Sequence, residues 1–556
     1  MNPVTSTPDN QPPALENFNR FAGNRPLRDA LHREGAGWAA AEIADLGAEL
    51  GETRWIACGN LANRYPPSLQ LFDRFGRRRD EFEFHPAWHQ CLDWIKSRGL
   101  AGSSWADSRS GAQVRRSALF QLFAEVECGS LCPATMTHGA IPVLARVADS
   151  FFEPWLRLLQ QPVYDPRFMP AAQKDGLLMG MGLTEKQGGS DVRANSTRAV
   201  QAGEGWHRLH GDKWFLSAAM CDAFLVTAQE ADGLSCFFLP RFTPDGERNA
   251  LHIVREKDKL GDRSNASAEV VFDGALARRV GEPGRGIATV LEMANHTRLD
   301  CANGSVGIMR AALAEALHCA RHRLAFGRLL IDQPLMRAVL ADMALELEGH
   351  IPLCLKVAAC IESGDEQSAL LARLLTPVVK YWVCKRAPAL IAEAMEATGG
   401  NGYVEDGPMP RLFRQAPLNS IWEGAGNVMC LDVLRVLARE PRTAEALITW
   451  LEEAAGRCDP YDGALARLSS VLAADPGERD ARLLVERIAL LAEARLLLAD
   501  DAEPAVAEAF CRTRFAGGWR GAYGTLPAAV DADLLLERAM PVMSGAQATV
   551  HPRTAG

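Results

Sequence analysis

The hydrophobic rhythm of the chain changes twice. Around 86–95 and 117–126, apolar side chains recur every third or fourth position, the spacing that lines one face of an α-helix. Pro86 suits the first turn of its helix, where no amide hydrogen is needed. Between about 179 and 283 the rhythm gives way to short runs at 224–228, 235–239 and 268–272. These are rich in β-branched and aromatic residues and punctuated by Gly, Asp and Pro. They predict an all-β insert, either a small barrel or packed sheets. After 281–286 the helical spacing returns in Ile287, Val290, Leu291 and Ala294. Long helices are expected over 299–324, 334–363 and 368–398. Gly399, Gly400 and Gly402 close the last of these as a helix C-terminus should. A further helix runs from near Gly426 through Leu437, and the remainder reads as a helical tail.

This pattern gives a fold class: mainly α with a β insert. The expected domains are an N-terminal helical domain (1–178), a middle β domain (179–288), a helical bundle (289–440) and an extra C-terminal helical domain (441–556). At 556 residues the chain exceeds what one hydrophobic core serves. The polar, proline-containing stretch 1–13 reads as a loose arm. A composition 48% hydrophobic and 23% charged is that of a soluble globular protein. No apolar run is long enough for a bilayer and no leader pattern opens the chain, so no membrane partner is expected.

Fourteen cysteines without a Cys-x-x-Cys pair predict a reducing, cytoplasmic location. Cys128 and Cys132, one helical turn apart, read as small apolar positions of a buried helix. His85 and His89 stand four apart, but Pro86 puts His85 outside the helix. No acidic residue lies between them and no third ligand is evident, so no metal is expected. Arg77, Arg78 and Arg79, followed by Asp80 and Glu81, read as a solvated turn.

The net charge of −9 argues against a broadly basic nucleic-acid protein. The tail, 441–556, holds twelve arginines, no lysine and seventeen acidic residues. Within it, Arg512, Arg514 and Arg520 lie near Phe515, Trp519 and Tyr523. That basic-aromatic cluster is the candidate contact for double-stranded DNA; the other reading is an arginine-rich surface loop. The stretch 180–192 carries four glycines, which let backbone approach a ligand closely, with Thr184 and Ser190 as hydroxyl donors. It is neither a P-loop nor a Rossmann fingerprint.

Four signatures in this order resemble the acyl-CoA dehydrogenase flavoprotein superfamily, over about residues 30–440. They are the opening of the β insert at 181–192, the word Lys213-Trp214-Phe215-Leu216-Ser217, the pair 323–327 with Gln333 and 396–402, and the loop Ile421-Trp422-Glu423-Gly424-Ala425-Gly426-Asn427. The words at 33–38, 84–89, 129–133, 184–192 and 263–267, with the extra C-terminal domain, resemble an alkylation-response branch of that superfamily.

The resemblance implies FAD, an acyl-CoA-like small-molecule substrate and a homotetramer. It gives cofactor contacts to Met181, Leu183, Thr184, Ser190, Phe215, Leu216, Ser217, Ile421, Trp422 and Asn427. Arg323, Phe326, Gln333, Glu396, Gly399 and Gly400 would reach the cofactor from a neighbouring subunit. Thr184, Ser190 and Arg298 would meet substrate. Glu423 would abstract the α-proton while a β-hydride passes to flavin N5, work that suits a carboxylate whose pKa is raised in an apolar pocket. Phe215 replaces the tryptophan of many relatives, and Ala425 and Asn427 replace the usual threonine and glutamine. The alternative is a DNA-binding protein of the adaptive response to alkylation, with slow or incidental dehydrogenation. An oxidase passing electrons to dioxygen is a third reading.

Overall fold

A computed structural model of the chain describes residues 10–516 and 521–544. The chain opens with the short strand β1 (Phe18–Asn19) and a set of helices interrupted by a hairpin, β2 (Ser68–Phe72) and β3 (Arg78–Glu83). The hairpin corrects the expectation of a solvated turn. Arg78 and Arg79 lie on β3 and pair with Asp80 at 2.6 Å and Glu81 at 2.9 Å. A strand this charged carries no apolar alternation to announce it.

His85 caps the helix Pro86–Ser97 from outside: its Nδ1 accepts from the amide of Ala87 at 3.1 Å. Phe84 stacks on Trp88 with centroids 3.7 Å apart, so the word at 84–89 is a cap and an aromatic anchor. The next two helices, Ala112–Ala124 and Leu131–Ala145, are buried on nearly every side. Cys132 lies in the second of them, while Cys128 sits in the turn before it.

The β insert is a seven-stranded sheet: β4 (Met179–Gly182), β5 (Arg198–Gly203), β6 (Trp206–Ser217), β7 (Ala223–Glu230), β8 (Gly233–Pro240), β9 (Leu251–Glu256) and β10 (Ser267–Val280). The ladder β6–β5–β7–β8–β10 returns to β6, so the sheet closes into a barrel and leaves few free edges. Strand β4 runs parallel to β7 and places Met181 opposite Ser217 of β6. Two signature words that lie far apart in sequence thereby meet.

The helical spacing after 286 belongs to one helix of 37 residues, Gly286–His322, with no break near 299. The small hairpin of β11 (Leu324–Ala325) and β12 (Arg328–Leu329) links it to Pro334–Ser363. Gly364, at φ +73°, turns the chain into Glu366–Ala397, which Asp365 caps by accepting from the amide of Ser368 at 2.8 Å. The described part of the N-terminal arm is not loose. Asn10 and Gln11 bond to Leu324 and Asn401, and the Pro13 carbonyl lies 2.9 Å from Nε2 of His318.

The C-terminal helices pack against this bundle, with Ala481–Leu497 on both Pro334–Ser363 and Glu366–Ala397. Charged groups are buried in that seam. His350 faces Glu493 at 2.6 Å and Glu346 at 3.3 Å, and Glu346 also takes Arg386 at 2.5 Å. Two members of the arginine-aromatic cluster expected to contact DNA, Arg514 and Tyr523, lie in this seam. Arg514 points inward and pairs with the fully buried Asp342 at 2.8 Å. Tyr523 is buried and accepts from Arg386 at 3.2 Å. Arg512 is exposed and pairs with Glu508 at 2.6 Å; Arg520 and Trp519 lie outside the described residues. A guanidinium bound inside the protein has no reach to phosphate. The described chain ends in helix Ala532–Ala539 and β13 (Val542–Met543), which pairs antiparallel with β1.

Candidate active site

Glu423 stands in the tight turn that leads into helix Gly426–Arg439. Its φ of +58° and the +103° of Gly424 are both left-handed, so the turn throws the Glu423 side chain off the axis of the coming helix. A non-glycine residue there costs about 1–2 kcal/mol and persists because neighbours fix it. Arg298 Nε donates to the main-chain oxygen of Glu423 at 3.1 Å, and Lys380 donates to that of Gly424. Arg298 is itself buried and pairs with Asp432 at 2.9 Å, which Arg373 also holds at 2.8 Å. Arg298 thus ties the main chain of the turn to the Asp432 carboxylate.

The carboxyl of Glu423 accepts a hydrogen bond from Thr297 Oγ1 at 2.7 Å. Burial pushes its pKa above the ordinary carboxylate range, outweighing Thr297, Arg298 and Lys380, which act the other way. Beside it runs a narrow cavity of about 30 Å³, walled by Phe120, Leu131, Cys132, Met136, Cys301 and Trp422. That volume holds about two waters, so only a slender chain enters without side-chain movement. Polar groups on its wall are already bonded. Asp300 takes a bidentate pair from Arg116 at 2.7 and 2.8 Å and a bond from Thr135 at 2.5 Å. Asn419 accepts from Trp422 Nε1 at 3.0 Å and donates to Ser305 at 3.1 Å.

The opening of the barrel is a fixed platform. Glu185 and Lys213 form a buried ion pair at 2.7 Å, and the amide of Trp214 donates to the Thr184 carbonyl at 2.8 Å. A Cβ on Gly189 would come within 2.5 Å of Thr184 Oγ1, and one on Gly182 within 2.7 Å of a Leu216 methyl, so a side chain at either would displace these neighbours. Phe215 turns its ring outward, 40% exposed, while Met181 and Leu216 send their side chains into the core. Leu216 can therefore meet a cofactor only through its main chain. Leu183, Thr184 and Ser217 are half-buried and Ser190 is exposed. A flat ring system with amide edges fits this arrangement: an outward aromatic, two hydroxyls and close main chain.

Arg323, Phe326, Gln333, Glu396, Gly399 and Gly400 gather elsewhere, at the ends of the three long helices. Arg323 Nη1 lies 3.7 Å from the position a Gly399 Cβ would take, and Gln333 donates to the Ala325 carbonyl at 2.9 Å. Phe326 is fully exposed. None of the six lines the Glu423 cavity within this chain. Ile421 is exposed, and Asn427 accepts from Arg482 at 2.8 Å. Sequence reasoning missed Thr297, Lys380 and Arg482 as parts of this region. Thr297 alone carried a signal, as the neighbour of Arg298.

Comparison with known proteins decides the family. The model of the acyl-CoA dehydrogenase middle domain matches residues 180–275, and that of its C-terminal domain matches 284–438. The adaptive response protein AidB N-terminal domain matches 10–166. The putative acyl-CoA dehydrogenase AidB of Escherichia coli (strain K12) is 46% identical over 510 residues, 91% of this chain and 94% of that protein. The chain belongs to the acyl-CoA dehydrogenase family. Acyl-CoA dehydrogenase family member 11 of Caenorhabditis elegans is 32% identical over 463 residues, 80% of this chain and 74% of its own. The crystal structure of C. elegans ACDH-11 in complex with C11-CoA superimposes with a TM-score of 0.85 at 27% identity, covering 94% of this chain and 96% of that one. Acyl-CoA dehydrogenases are FAD-dependent flavoproteins, and this member is an oxidoreductase of that type. No helix among the described residues is long and apolar enough to cross a membrane.

Proposed function

We propose that the chain dehydrogenates an acyl-CoA-like thioester between its α and β carbons, with Glu423 as the base. One observation carries this reading: a half-buried carboxyl, oriented by Thr297, beside a narrow apolar cavity. An α-proton of a thioester is only weakly acidic, so a base with a raised pKa serves better than an ordinary carboxylate. Burial provides that rise at Glu423. Arg298 and Lys380 grip main-chain oxygens, so they fix the position of the turn and leave one carboxyl oxygen for the proton. The apolar walls keep water from competing for it.

FAD, when bound, supplies the acceptor for the β-hydride at its N5. Phe215, Thr184 and Ser217 would hold its ring at the β4–β6 edge. Arg323, Phe326, Gln333, Glu396, Gly399 and Gly400, exposed or half-buried here, would serve a neighbouring subunit of a homotetramer. The C. elegans relative solved with C11-CoA supports a coenzyme A thioester as the ligand.

The test is anaerobic bleaching of the flavin by a panel of acyl-CoAs. Wild type is expected to bleach with at least one. Glu423→Gln should slow bleaching about 10²–10⁴-fold, the usual contribution of a general base. Bleaching of the variant at the wild-type rate would remove Glu423 from the reaction, and a wild type untouched by every acyl-CoA would remove the reaction itself.

A further inference from the structure

A second opening lies behind the Glu423 turn. It is a groove of about 370 Å³ lined by Pro388, Pro417, Ser420, Ile421 and the residues Ala425, Gly426 and Asn427, with Lys385 and Arg482 on its walls. No acidic side chain lines it, in a chain whose net charge is −9. Lys385 is exposed and makes no hydrogen bond or ion pair with the described residues. Arg482 spends only Nε, on Asn427 Oδ1 at 2.8 Å, which leaves the outer fork of its guanidinium turned to the groove. Two cations with open donors beside this turn make a place for a phosphate or diphosphate. The first turn of helix Gly426–Arg439 has no side-chain cap, so free amides face the same space.

Arg482 is the unusual member. It lies outside all three stretches that match the family models, which end at residue 438. It comes from the extra C-terminal helices, yet it grips the residue that stands where relatives carry glutamine.

We infer that Arg482 and Lys385 bind the diphosphate of FAD, so that the C-terminal helical domain forms part of the cofactor site. This rests on the reading that the flavin lies beside the Glu423 turn. Coenzyme A carries a diphosphate of the same chemistry, and the experiment separates the two sources.

Full-length apoprotein is titrated with FAD, with riboflavin and, separately, with coenzyme A, following flavin fluorescence or competition. The proteins are wild type, Arg482→Ala, Lys385→Ala and Arg482→Lys. Both side chains are exposed, so the fold should tolerate each change, and unaltered riboflavin binding reports that it has. The expected result is FAD binding about ten- to a hundredfold weaker in Arg482→Ala, with riboflavin unchanged and partial recovery in Arg482→Lys. FAD affinity within twofold of wild type in both alanine variants overturns the assignment. So does a loss confined to coenzyme A. A wild type that holds FAD through Arg482 but is bleached by no acyl-CoA would leave this assignment standing and overturn the proposed reaction alone.

Discussion

Thr297 Oγ1 donates to Oε2 of Glu423 at 2.7 Å, and it is the only side chain that bonds the carboxyl among the described residues. A bond to the charged form lowers a pKa, so this contact opposes the burial that raises it. Thr297→Val should push the Glu423 pKa higher still. The acidic limb of the bleaching rate against pH is expected to move to higher pH, with the basic plateau nearly kept. A profile that stays in place would show that Thr297 does not touch the working carboxylate.

His350 gives a prediction about stability. Burial alone would hold its pKa down, but Glu493 and Glu346 outweigh it and lift the imidazole to about 9. Against an unfolded value near 6.5, the folded state gains from this proton below about pH 6.5 and loses the gain as pH rises through about 9. The difference is at most about 3 kcal/mol. Denaturant unfolding at a series of pH values should show wild type weakening across that window more than His350→Gln. Parallel slopes would mean that the imidazole is not charged in the seam.

Two arginines of the C-terminal cluster should behave in opposite ways. Asp342→Asn removes the carboxylate that the buried guanidinium of Arg514 pairs with and should cost about 3–5 kcal/mol. Arg512→Ala removes an exposed pair with Glu508 and should change stability by less than about 1 kcal/mol. Urea midpoints of both variants check the contrast. Equal midpoints would return Arg514 to the surface.

Gly129 and Ser264 belong to two separate signature words, and here they touch. A Cβ on Gly129 would fall 1.9 Å from Ser264 Oγ, which donates to Glu127 at 2.7 Å. Gly129→Ala should destabilise by about 1–3 kcal/mol through overpacking. Adding Ser264→Ala should recover part of that loss, measured as coupling between the two changes. Strict additivity would argue against the contact.

The order of helices, barrel and helices was legible because its periodicities are long and clean, and the helix ends at Gly364 and Gly399 were marked by glycine. The β2–β3 hairpin was not legible, since Arg78, Arg79, Asp80 and Glu81 hide its strand behind charge. Glu423 could be picked out because its loop is a compact word. Its partner Thr297 lies 126 positions away, and the match of Arg514 to Asp342 spans 172. Such pairs leave no local trace, which is why Arg514 read as surface when it is interior.

The pairing of β1 with β13 also sets a schedule for making the protein. Phe18 pairs with Met543, so β1 can be paired only once the segment around residue 543 has been made. Barrel and bundle can condense during synthesis, but this clasp closes only after both strands have been made. A nascent chain stalled before residue 543 should therefore look largely folded and still lack the β1–β13 pairing.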